Sequence, residues 1–110
     1  MRLTETQKSN MIDIFAQVFG HLNAELWLFG SRVDDQKLGG DIDLLIKCYD
    51  LAYNELLDLK EKYDFLLEKK IGERKIDIVL EFNEACKELP IIKSANQNGI
   101  LLTTTVNGEN

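Results

Sequence analysis

The sequence predicts an α/β domain in which helices pack on a mixed β-sheet. Three observations carry that reading. Apolar residues recur at helical spacing in long stretches, four short apolar or β-branched runs lie between them, and the two kinds of segment alternate in the order α-β-(α)-β-α-β-α-β. With 110 residues the chain has room for one hydrophobic core, so a single domain over 1–110 is expected.

The first helix is capped by Thr4 or Thr6, with Glu5 in its first turn. Met11, Ile12, Phe15, Val18, Phe19 and Leu22 give it an apolar face, and Gly20 and Asn23 punctuate its end. Glu25 to Phe29 is short and aromatic, a strand stopped by Gly30. Ser31 to Leu38 is polar, a short helix or loop leading into Gly39-Gly40. Asp41 to Cys48 reads as the second strand, with Ile42, Leu44, Ile46 and Cys48 on one side and Asp41, Asp43, Leu45 and Lys47 on the other. A long helix over about Leu51 to Lys70 carries Ala52, Leu56, Leu59, Tyr63 and Leu66 on one stripe and ends near Gly72. Lys75 to Phe82 is the third strand, with Ile76, Ile78, Leu80 and Phe82 facing one way and Asp77, Val79 and Glu81 the other. A last helical stretch spans about Glu84 to Asn98, with Pro90 early in it or at a break, and Gly99 ends it. Ile100 to Val106, rich in Thr, is the final strand.

Bulk properties narrow the function. The formal charge of −6 argues against a nucleic-acid-binding module, which needs a basic stripe, so no direct nucleic-acid contact is expected. No apolar run reaches the roughly 20 residues of a transmembrane helix, and the polar start lacks a signal-peptide core. Cys48 and Cys86 are too few and too far apart for a metal knuckle or a disulfide framework, which fits reduced thiols and a cytoplasmic location. The aromatic residues Phe15, Phe19, Trp27, Phe29, Phe65 and Phe82 are expected in the core, while His21, the cluster Lys69, Lys70, Arg74 and Lys75, and Glu81 are expected to face solvent.

The chemistry concentrates in Leu28-Phe29-Gly30-Ser31-Arg32 and Gly39-Gly40-Asp41-Ile42-Asp43. Residues two apart on a strand share a face, so Asp41 and Asp43 set two carboxylates side by side. Such a pair repels itself unless a cation lies between its members, and hard oxygen donors suit Mg²⁺ or Mn²⁺. Asp77 is a third acid inside an apolar strand. If that strand lies beside the second one, Asp77 can join the pair. Gly30 permits close backbone approach, Ser31 can meet a phosphate oxygen, and Arg32 adds a charge-assisted contact.

These residues resemble the DNA polymerase β-like nucleotidyltransferase superfamily, specifically its minimal (MNT-type) members. Trp27 to Val33 looks like the family's strand and Gly-Ser-Arg turn, Asp41-Ile42-Asp43-Leu44 like its D-x-D, and Asp77 like its third acid. The likeness covers about Glu5 to Val106. It implies a nucleotidyltransferase core with Asp41, Asp43 and Asp77 as metal-binding catalytic acids, Gly30, Ser31 and Arg32 on the triphosphate, and ATP as substrate. The loop from Arg32 to Gly40 departs from the pattern: it is shorter than in many relatives and carries Asp34 and Asp35. The extra helical domain that larger members use to bind an acceptor is also missing. The acceptor is therefore expected on another chain, and the resemblance implies a HEPN-type helical toxin partner whose tyrosine receives AMP, the present chain acting as antitoxin. A small-molecule acceptor and neutralisation by contact alone are the alternatives.

Overall fold

The computed structural model describes residues 4–29, 42–72 and 75–107. Their order is α1 (Glu5–Phe19), β1 (Ala24–Phe29), β2 (Ile42–Lys47), α2 (Tyr53–Ile71), β3 (Ile76–Glu81), a 3₁₀ turn (Glu84–Glu88), α3 (Pro90–Asn98) and β4 (Ile100–Thr105). The predicted α/β class holds. The short helix or loop expected over Ser31 to Leu38 lies outside the described residues.

Local signals set most boundaries. Thr4 closes a capping box on α1: its hydroxyl accepts from the Gln7 N–H at 3.0 Å, and the Gln7 side chain accepts from the Thr4 N–H at 3.1 Å. Gly72 ends α2 with φ of +98°, a left-handed backbone that favours glycine. Pro90 does break the last helical stretch. It occupies the first position of α3, where its missing N–H costs nothing, and the residues before it form the 3₁₀ turn.

The four strands are ordered β3-β2-β1-β4. β1 runs antiparallel to β2 and β4, and β2 runs parallel to β3, so the sheet is mixed. One face carries Ala24, Leu26, Ile42, Leu44 and Ile46 against α1 and α2. Phe15 stacks on Phe19 at 4.6 Å and meets Tyr63 edge-on at 5.6 Å, while the Tyr63 hydroxyl donates to the Met11 carbonyl at 2.9 Å, tying α2 to α1. The other face carries Phe29 and Leu45 against Cys86, Ile92 and Ala95, with Trp27 and Val79 packed alongside.

Four core expectations are corrected. Ile14 rather than Ile12 completes the fully buried stripe of α1, and Leu67 rather than Leu66 that of α2. Ala52 is not on the stripe, because α2 starts at Tyr53, two residues after the expected Leu51, and Ala52 is its N-cap. Phe65 is not core: it is 57% exposed, since the buried stripe runs through Leu56, Tyr63 and Leu67, and Lys69 lies over its ring at 4.7 Å.

Candidate active site

Alternation within β2 turns Ile42, Leu44 and Ile46 into the helical core, which leaves Asp43, Leu45 and Lys47 on the opposite face. β3 does the same with Ile76, Ile78 and Leu80 against Asp77, Val79 and Glu81. The parallel register then places Asp43 opposite Asp77. Paired positions on neighbouring strands are about 4.8 Å apart and share a face. Two acids expected from sequence to meet are thus adjacent, Asp43 half-buried and Asp77 exposed. Phe29, the last residue of β1, pairs with Asp43 on its other side, so the chain leaves β1 beside these acids. Asp41, Gly30, Ser31 and Arg32 fall in the following segment, outside the described residues.

Two carboxylates at matched register suit a hard divalent cation, which would sit between oxygens that otherwise repel. Among the described residues no group of three metal-ligating side chains forms, and Asp41, the third expected ligand, is not among them.

A further acid lies on α2, the helix that packs on the opposite face of the sheet. Asp64 on α2 has one carboxylate oxygen buried without a hydrogen-bond partner. Burial holds its carboxyl above the usual range, and the charges of Glu68 and Asp77 push the same way. Its position inside Tyr63-Asp64-Phe65-Leu66-Leu67, an acid within an apolar run, was the available sequence signal.

The far end of the same ladder differs. Glu81 shares the face of Asp77 but is fully buried, which corrects the expectation of a solvated position. The Tyr49 hydroxyl donates to it at 2.5 Å, the Asn96 side chain donates at 3.4 Å, and Lys87 lies 4.0 Å away. Burial and the bond to Glu81 hold the Tyr49 phenol well above its usual range. A cleft of about 470 Å³ opens beside this cluster, bounded by Lys47, Tyr49, Asp50 and Glu81. Its acids are engaged within the fold: Asp50 accepts from the Asn23 backbone at 2.8 Å, and Glu25 accepts from the Trp27 indole at 2.9 Å. The cleft therefore has structural polar walls and lies at the end of the strands away from Asp43 and Asp77. His21, Lys69, Lys70 and Lys75 are exposed as expected, and both cysteines are buried and free.

An α/β sheet with paired acids at the start of two parallel strands, beside the exit of a third, has the layout of a nucleotidyl-transferring core. Residues 8–102 match the nucleotidyltransferase domain family, and the chain belongs to it. Two solved structures share the fold. One, the crystal structure of a toxin-antitoxin with AMP-PNP, is 19% identical with a TM-score of 0.57, over 89% of this chain and 73% of that chain. The other, the toxin-antitoxin MntA-HepT, is 17% identical with a TM-score of 0.57, over 93% of this chain and 74% of that chain. No curated protein matches the sequence. Among the described residues no helix is long and apolar enough to cross a membrane.

Proposed function

We propose that the chain is a metal-dependent adenylyltransferase that acts as an antitoxin, transferring AMP from ATP to a tyrosine hydroxyl of a HEPN-type helical partner. The observation that carries the chemistry is the matched register of Asp43 and Asp77. Asp41, Asp43 and Asp77 would hold Mg²⁺ or Mn²⁺, and Gly30, Ser31 and Arg32 would hold the triphosphate. When bound, the ion supplies charge neutralisation at the phosphates and lowers the pKa of a coordinated hydroxyl. Asp77, the more exposed acid, would help orient and deprotonate the incoming hydroxyl. The hydroxyl oxygen forms a bond to the α-phosphorus, the bond to the bridging oxygen breaks in line, and pyrophosphate leaves with the electron pair. The antitoxin setting is supported by the two toxin-antitoxin structures that share the fold.

The test is to mix the chain with a co-expressed helical partner, ATP and Mg²⁺, and to weigh the partner by intact mass spectrometry. One adenylyl group on a partner tyrosine is expected, lost with Asp43→Asn or Asp77→Asn. Neutralisation of the toxin by both variants, with no adduct, would replace transfer with contact alone. Transfer to a small hydroxyl compound and not to protein would move the acceptor to that class.

A further inference from the structure

The sheet has two edges, and they are built differently. β3 carries the exposed charges Lys75 at its entrance and Asp77 within it, which discourage strand addition. β4 carries none. From Ser94 to Gly108 no residue is charged, in a chain that is 29% charged overall. Only β1 pairs with β4 among the described residues, so the outer row of its backbone donors and acceptors has no strand beside it. Apolar side chains are exposed along it: Ile100 is 51% exposed, Leu101 46% and Val106 51%. The register shifts between Leu26 and Trp27 make Leu102 an extra residue, and it packs against the helical core, leaving Thr103–Thr105 as the regular stretch.

We infer that β4 is a self-association edge, where a second copy of this chain adds its own β4 antiparallel to form a continuous eight-stranded sheet. The edge calls for a strand, because its donors and acceptors match another extended backbone and not a helix. Charge selects the second copy. Each chain carries −6, and the Ser94–Gly108 stretch is where two copies meet without placing acid against acid. A two-fold axis through Thr104 repeats every contact, setting Thr103 of one copy opposite Thr105 of the other, and Thr–Thr pairs are favourable cross-strand neighbours. The association is independent of the transfer reaction, since Asp43 and Asp77 lie on the other half of the sheet.

Sedimentation velocity of the chain over a concentration series, at low and high salt, tests this. Wild type is expected to shift toward twice its 12.6 kDa mass, more strongly at high salt, where the repulsion between acidic copies is screened. Thr104→Lys introduces a charge at an exposed position opposite Glu25 in the neighbouring strand, so the fold is retained while the edge is blocked. At least about a tenfold weakening of the dimer is expected, with an unchanged melting curve. Leu101→Lys gives the same readout should Thr104→Lys disturb folding. A wild type that stays monomeric at every concentration, or a dimer that both variants leave intact, overturns the inference.

Discussion

The ladder between β2 and β3 ends in two charged pairs of opposite character. At its start, Asp43 faces Asp77, acid against acid, with Asp77 exposed. At its finish, Lys47 faces Glu81, and Glu81 is fully buried and held by Tyr49 and Asn96. Lys47 lies over the Trp27 ring at 4.9 Å. The finish satisfies its charges inside the fold, as buried charges must be. The start sets two acids at matched positions at the mouth of the sheet, an arrangement that fits a cation from outside. The proposed chemistry lies at the acid-paired end, while the buried and hydrogen-bonded Glu81 gives the other end its rigidity. The cleft beside Glu81 belongs to the second kind of end.

Substitutions at the two ends should separate activity from stability. Asp43→Asn and Asp77→Asn are expected to lower adenylyl transfer by about 10²–10³-fold or more in a single-turnover assay. Their melting temperatures should stay close to wild type, because each replacement keeps the size and polarity of the side chain. At the other end, Glu81→Ala strands the Tyr49 hydroxyl and the Asn96 amide, and a loss of about 3 kcal/mol is expected in urea unfolding. Tyr49→Phe removes one donor and keeps the ring, so about 1–2 kcal/mol is expected, with transfer unchanged.

The smallest effect sharpens the comparison at Asp64. Its folded pKa is raised by burial, so ionisation disfavours the folded state. The penalty is absent below the unfolded pKa of about 3.9 and complete above the raised folded value. Asp64→Asn is therefore expected to stabilise the chain by a few tenths to about 1 kcal/mol near neutral pH, also relieving its like-charge neighbours Glu61 and Glu68. That gain should vanish as the pH falls toward 4, as thermal melts at several pH values would record.

Much of this was legible in the sequence for identifiable reasons. Two-residue alternation in Asp41–Cys48 and Lys75–Phe82 assigned the faces of both strands, because one face had to be apolar. Pro90 and Gly99 marked element ends through backbone chemistry. The meeting of Asp43 and Asp77 was only conditional, since strand order depends on long-range pairing that no local pattern encodes. Glu81 escaped for a related reason: its burial comes from Tyr49 and α3, which lie far from it in sequence. Phe65 is exposed because helical phase, and not aromatic character, sets which residues of α2 face the core. The roles proposed for the acids rest on the resemblance, since alternation and spacing alone leave them open between a metal site and a solvated pair.

The most direct test of the central claim is calorimetric titration of AMP-PNP into the chain with and without Mg²⁺, repeated for Asp77→Asn and Tyr49→Phe. Binding that requires Mg²⁺, disappears in Asp77→Asn and survives in Tyr49→Phe is the expected result. Nucleotide binding that Asp77→Asn leaves intact, or that Tyr49→Phe abolishes in a folded protein, would contradict the assignment of chemistry to the Asp43–Asp77 end.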